Sequence, residues 1–187
     1  MIANPLLLRL RDALERAQVL YMLTGSFAST TYGKPRGTQD VDIVIAPTRS
    51  TLVALLREFP ATEFYADEED ALRALEQVDQ FNVLEHATGW KIDFYISKGD
   101  AFSQTALQRR RVLEVAGVEM YVSSPEDVII AKLQWAKLGG SARRIEGAAG
   151  VVHFQGGNLD VAYVERWVRV LDLAELWQEV QSKAGPE

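Results

Sequence analysis

The chain predicts a mixed α/β (α+β) fold: a mixed β-sheet flanked by helices, followed by a C-terminal helical lobe. Three observations carry that class. Up to Val122, short strand-like apolar runs alternate with segments whose apolar residues recur at helical spacing. From Ser123 onward only the helical spacing remains. At the change stands Ser124-Pro125-Glu126-Asp127, in which serine caps a helix, proline fits its first turn and Asp127 can return the cap interaction. The expected division is therefore a core over residues 1–122 and a helical lobe over 123–187 packed on it.

The elements follow in order. Asn4 and Pro5 suit an N-cap and first turn, and Leu6, Leu7, Leu10, Ala13, Leu14 and Ala17 then mark a first amphipathic helix. A strand over 19–24 ends at Gly25-Ser26, which opens a short helix over 27–32 closed by Gly33. Residues 41–46 form the next strand, and 50–59 a helix with Leu52, Leu55, Leu56 and Phe59 inward, closed by Pro60. Asp67-Glu68-Glu69-Asp70 begins an acidic helix reaching about Val78; its carboxylates suit the positive end of the helix dipole and are not read as metal ligands. Residues 81–85 and 90–96, joined by His86-Ala87-Thr88-Gly89, read as a hairpin. Residues 112–115 and 118–122 read as another, across Ala116-Gly117.

In the second part the first helix carries Val128, Ile129, Ala131, Leu133, Trp135 and Leu138 and stops at Gly139-Gly140. Helices over about 141–153, 160–170 and 172–182 follow, with Gly156-Gly157-Asn158 as a turn and a frayed tail from Lys183. Trp135, Trp167 and Trp177 lie at helical spacing from other apolar residues and are assigned to the core.

Three carboxylates stand out against this frame. Asp40 and Asp42 lie two apart at the start of an apolar strand, so their side chains share one face with Cα atoms about 6.5 to 7 Å apart. Asp93 lies in the strand-like run 90–96, and if that strand neighbours the first, its carboxylate comes within a cross-strand distance of about 5 Å. Two unit charges that close repel by roughly 3 kcal/mol at an effective dielectric of about 20, so the cluster calls for a cation. Oxygen-only ligands suit Mg²⁺ or Mn²⁺ rather than zinc. Taken alone, Asp-Val-Asp also fits a half-exposed edge strand facing water. A strand that turns through Gly25-Ser26 into a helix presents backbone N–H groups and a hydroxyl where a phosphate binds well, although an ordinary turn with Ser26 as N-cap fits those residues equally.

The combined order is Leu23-Thr24-Gly25-Ser26-Phe27-Ala28, then Gly33-Lys34-Pro35-Arg36-Gly37-Thr38-Gln39-Asp40-Val41-Asp42, then Ile92-Asp93-Phe94. It resembles the nucleotidyltransferase superfamily that shares its core with DNA polymerase beta. Within it the chain looks most like the small prokaryotic AbiEii-type and minimal nucleotidyltransferases, some of which work beside a helical partner protein. The resemblance covers about residues 19–96. It implies a Mg²⁺- (or Mn²⁺-) dependent enzyme that moves a nucleoside monophosphate from an NTP to an acceptor hydroxyl on tRNA, a protein or a small molecule, within a toxin–antitoxin system or outside one. By the same resemblance Asp40, Asp42 and Asp93 hold two metal positions, with Asp93 helping to deprotonate the acceptor, and Gly25 and Ser26 hold terminal phosphates. Arg36 or Lys34 clamps a phosphate, or Arg36 pairs with a nearby carboxylate. Lys132 in the first helix of the second lobe matches a lysine that approaches the triphosphate, while a snorkelling surface lysine is the plain alternative. One departure stands out: where relatives carry an aspartate in the next helix, this chain has Arg143-Arg144-Ile145-Glu146-Gly147.

Composition removes other classes. There is no cysteine, hence no disulfide framework or thiolate metal site, and His86 and His153 are too far apart in sequence for a histidine-rich one. The net charge of −6 argues against a broad basic surface coating nucleic acid; Arg109-Arg110-Arg111 and Arg143-Arg144 are local patches that fit phosphate contact or simple solvated faces. The apolar runs are far shorter than the ~20 residues of a membrane span, so the expected location is cytoplasmic with no membrane partner. Two rivals to the active transferase remain: a catalytically silent module of the same fold that binds nucleotide or a partner protein, and a different enzyme, such as a phosphotransferase or nuclease, using similar metal chemistry.

Overall fold

The computed structural model describes residues 4–33, 37–139 and 142–185. The chain divides into two compact units, Met1–Thr24 with Thr38–Val122, and Gly25–Gly37 with Ser123–Glu187.

The first unit is built on a seven-stranded mixed sheet. Its strands are β1 (Leu20–Leu23), β2 (Asp40–Ala46), β3 (Phe64–Ala66), β4 (Gln80–Glu85), β5 (Lys91–Ile96), β6 (Arg111–Val115) and β7 (Val118–Val122), in the order β3-β4-β5-β2-β1-β7-β6. β2 runs parallel to β5 and β1 parallel to β7, and the other pairs are antiparallel. β2 and β5 are interior strands whose alternate residues face opposite ways. Val41, Ile43, Ile45, Ile92 and Phe94 are wholly buried, each contributing about 1.5–3 kcal/mol through burial. Phe94 stacks on Phe81, its register partner on β4, with ring centroids 5.0 Å apart and meets Phe59 edge-on, which anchors β5 against β4 from beneath.

Four helices belong to this unit: α1 (Pro5–Arg16), α3 (Arg49–Leu56), α4 (Glu68–Gln77) and α5 (Ala101–Arg109). Asn4 caps α1 as expected, its Oδ1 accepting the Leu7 N–H at 3.1 Å, with Pro5 in the first turn. α3 starts one residue earlier than the apolar pattern indicated because Thr48 forms a capping box with Thr51. Asp67 caps α4, which ends at Val78 in the left-handed conformation at φ 55°. The Ala116-Gly117 turn has positive φ at both residues, 47° and 79°, the geometry of a two-residue hairpin loop.

The second unit is helical: α2 (Gly25–Tyr32), α6 (Pro125–Gly139), α7 (Ala142–Gln155), a 3₁₀ turn (Gly156–Asn158), α8 (Val161–Val170) and α9 (Ala174–Ala184). α2 begins at Gly25, two residues earlier than expected, and Gly25 adopts φ 63°. The cap of α6 is reciprocal: Ser124 Oγ accepts the Asp127 N–H at 3.2 Å and donates to Asp127 Oδ2 at 2.7 Å. Asp127 is almost fully buried, and its second oxygen accepts the Tyr163 hydroxyl at 2.7 Å. Trp167 and Trp177 are buried, but Trp135 is not: 41% of it is exposed, with the Arg144 guanidinium over its ring and donating to its carbonyl at 2.9 Å. Helical spacing assigned Trp135 to the core. An amphipathic cover by arginine serves its rim position instead. Among the described residues no helix is long and apolar enough to cross a membrane.

Candidate active site

The carboxylates lie on one face of the central strand pair. Parallel register sets Asp42 beside Asp93 and Asp40 beside Lys91, and because side chains alternate, Asp40, Asp42, Lys91, Asp93 and Tyr95 all project from the face opposite the apolar core. The same face carries Asn82, which β4 places directly opposite Asp93. β1 is tied in just past its end, where the Thr24 N–H donates to the Asp42 carbonyl at 2.9 Å.

Repulsion within the cluster is met by a side chain. Lys91 Nζ lies 2.9 Å from Asp93 Oδ2 and 3.9 Å from Asp40 Oδ1, while the Tyr95 hydroxyl donates to Asp42 Oδ1 at 3.3 Å. The hydrogen bond to Asp93, reinforced by the fields of Asp93, Asp40 and Asp42, holds the Lys91 ammonium above the usual lysine range against the opposing effect of desolvation. Asp93 is the most enclosed of the paired acids, its side chain 13% exposed against 59% for Asp40. A carboxylate so enclosed loses more of its hydration and gains more from each partner.

Among the described residues, no group of three or more His, Cys, Asp or Glu side chains closes to metal-holding distance. The chemistry of the donors, though not their spacing, is that of a hard-cation site. The set consists of carboxylate oxygens on one face, two of them on residues in direct register, and positive charge is already drawn to them.

Gly25 and Ser26 form the first turn of α2, where Ser29 Oγ donates to the Ser26 carbonyl at 3.0 Å and so ties the turn to the helix. Lys132 lies on α6 with its stem across Gly147 of α7; a Cβ built on Gly147 would stand 3.1 Å from Lys132 Nζ. The glycine that replaces the acid expected in that helix thus leaves room for the lysine. Arg36 and Lys34 lie outside the described residues. The run 109–111 does not form a single basic face. Arg109 ends α5, Arg111 begins β6, and between them Arg110 lies over the Tyr121 ring and donates to the Leu107 carbonyl.

Sequence reasoning passed over Lys91, Tyr95 and Asn82. The first two carried a signal, since each lies two residues from Asp93 in a strand; Asn82 depends on the β4–β5 register and had none. A cleft of about 470 Å³, lined by Ala46, Pro47, Ile96 and Ser97 among others, lies at the far ends of β2 and β5, away from Asp40.

No protein-family model and no curated protein matches the chain. Solved structures do. The chain is similar to ANT(2'')-Ia in complex with adenylyl-2''-tobramycin, with TM-score 0.54, 13% identity, and 89% of this chain and 96% of that one covered. It is also similar to an antigenic nucleotidyltransferase-like protein from Paracoccidioides brasiliensis, with TM-score 0.53, 19% identity, and 93% and 91% covered. A solution structure of the antibiotic-resistance factor ANT(2'')-Ia aligns at TM-score 0.50 and 13% identity over 89% of this chain and 94% of that one. At such identities the likeness is one of architecture: the seven-stranded mixed sheet with its helices has the nucleotidyltransferase-like fold.

Proposed function

We propose that this protein transfers a nucleoside monophosphate from an NTP to an acceptor hydroxyl, releasing pyrophosphate. The observation that supports this most is the register of Asp42 with Asp93 on adjacent parallel strands, with Asp40 on the same face. Fold and carboxylates point the same way, and neither alone would suffice.

In this reading Asp40, Asp42 and Asp93 would hold Mg²⁺ or Mn²⁺, which when bound supplies positive charge to phosphate oxygens. The protein's own groups do the rest. The Gly25 and Ser26 turn holds the terminal phosphates through N–H and hydroxyl donors, and Lys132 adds an ammonium to the triphosphate. Arg36 has the same assignment as a phosphate clamp. Asp93 takes the proton of the acceptor hydroxyl on a carboxylate oxygen as that hydroxyl's oxygen bonds to the α-phosphorus, and the bond to the bridging oxygen of pyrophosphate breaks. Residues 1–122 form the catalytic core and 123–187 the helical lobe. The likeness to a protein solved with an adenylylated aminoglycoside favours a small-molecule hydroxyl as acceptor. A tRNA end or a protein hydroxyl stays within the proposal, as do cytoplasmic action and a helical partner in a toxin–antitoxin pair, through the AbiEii-type resemblance of residues 19–96.

A silent nucleotide-binding module is the second reading, and the Lys91 ion pair favours it, because the cluster is partly neutralised without any metal. Incubating the protein with each α-labelled NTP, Mg²⁺ or Mn²⁺, and candidate acceptors separates the two. Label moving to an acceptor with stoichiometric pyrophosphate supports the transferase; saturable NTP binding with no pyrophosphate from any acceptor supports the silent module.

A further inference from the structure

We propose that the cleft at the far ends of β2 and β5 binds a small amphipathic anion, an apolar body that ends in a carboxylate. Position, walls and charge each lead there. β2 and β5 run parallel near the centre of the sheet, and the cleft lies beyond their carboxyl ends, at Ala46-Pro47 and Ile96-Ser97, where the chain leaves one strand for α3 and the other for α5. Open α/β sheets hold ligands at such ends. The volume of about 470 Å³ is that of a small-molecule site.

Leu20, Leu75, Val78 and Leu107 supply apolar wall, and Leu20 and Val78 keep large apolar surface in contact with water. Val78 does so on left-handed backbone at φ 55°, a costly conformation for a β-branched residue, so this part of the wall is held against local strain. Among the described residues Arg110 carries the only formal charge on the walls. Its Nη1 donates to the Leu107 carbonyl and its guanidinium lies over the Tyr121 ring, 4.5 Å from the centroid, while Nε is buried with no acceptor among the described residues. The edge that bears Nε is one a carboxylate takes side-on, and a bound carboxylate would supply the acceptor that the fold does not. The chain as a whole carries −6, so diffuse attraction favours cations; selection of an anion has to be local.

The test compares three probes with one body: phenylbutyrate, phenylbutanol and phenylbutylamine, which present an anionic, a neutral and a cationic head at neutral pH. Each is titrated into the full-length chain by amide NMR. The expected result is saturable shifts at Ser97 and Gly99, with the acid bound at least about tenfold more tightly than the alcohol and the amine weakest. Arg110→Gln should bring the acid down to the alcohol, and Arg110→Lys should keep the order. Val78→Asn, a residue type that suits left-handed backbone, should weaken acid and alcohol alike by about threefold or more. No saturable shift at those amides with any probe up to about 10 mM, an amine bound as well as the acid, or acid binding unchanged in a folded Arg110→Gln chain would overturn the inference. The head-group series on wild type needs no variant, so it decides the matter even where Arg110→Gln fails to fold.

Discussion

Replacing Asp42 by asparagine separates what this carboxylate does for folding from what it does for catalysis. Asp42 and Asp93 are register partners on parallel strands, so their carboxylates stand about 5 Å apart, where two unit charges repel by roughly 3 kcal/mol at an effective dielectric of about 20. Lys91, paired with Asp93, offsets part of that, and solvent around its 41% exposed side chain screens more, so the repulsion left to relieve is at most about 1 kcal/mol. Asparagine keeps an oxygen to accept from Tyr95, so the variant removes the charge without orphaning the hydroxyl. In EDTA the variant is therefore expected to melt at the wild-type temperature or up to about 4 °C above it. With divalent cation at about 100 times its Kd, wild type gains roughly 2.7 kcal/mol, some 5–10 °C, and the variant gains little of this. Transfer from labelled NTP should fall at least about 100-fold, the scale of losing one electrostatic stabiliser of the transition state. Calorimetry with and without cation, alongside the transfer assay, reads all three. A melting temperature several degrees below wild type in EDTA would show that the carboxylate stabilises the fold, and unchanged transfer would remove Asp42 from the chemistry.

Four other outcomes follow from the same structure. Gly147→Ala should hold or raise stability by up to about 1 kcal/mol through helix propensity, yet raise the apparent KM for NTP, because the new methyl reaches Lys132 Nζ; denaturant melts and steady-state kinetics check the split. Asp127→Ala keeps the backbone N–H that Ser124 caps but removes the acceptor of both the Ser124 and the Tyr163 hydroxyls, and should cost about 2–3 kcal/mol by urea titration. Val78→Gly relieves a β-branched residue at φ 55° and should stabilise by about 1 kcal/mol, seen as a melting shift of about 2–4 °C. Burial pushes the Tyr21 hydroxyl up to about 12 from an ordinary 10, so the folded form stays protonated where the unfolded one ionises; stability is complete below pH 10 and should fall by about 2 kcal/mol as pH rises to 12, followed by tyrosinate absorbance and circular dichroism together.

The fold was legible where one period dominated a run. In β2 and β5 burial alternates residue by residue, and Asp42 and Asp93 mark the outward face despite the apolar Val44 beside them, while the caps at Asn4 and Ser124 hydrogen-bond as their residue types predict. Two elements escaped. β3 has three residues, too few to express any period, and its place at the sheet edge comes from pairing with β4. α5 hides its apolar stripe of Phe102, Ala106 and Leu107 among Ser103, Gln104 and Thr105, leaving the Asp100 cap, which accepts the Ser103 N–H at 2.7 Å, as its best local signal.

The site was less legible for a reason that lies in topology. Sequence places Asp40 and Asp42 on one face but leaves the partner strand of β2 open, because parallel pairing of β2 with β5 joins residues about fifty apart through α3, β3, α4 and β4 in turn. Once that pairing is known, everything two residues from Asp93 must share its face, and Lys91 changes from a flanking residue into the counter-ion of the cluster. The identity of residue 91 then matters as much as that of the acids. An apolar residue there would take away the ammonium that lies 2.9 Å from Asp93 and 3.9 Å from Asp40, and those two acids would then repel each other across the strand pair with no lysine between them.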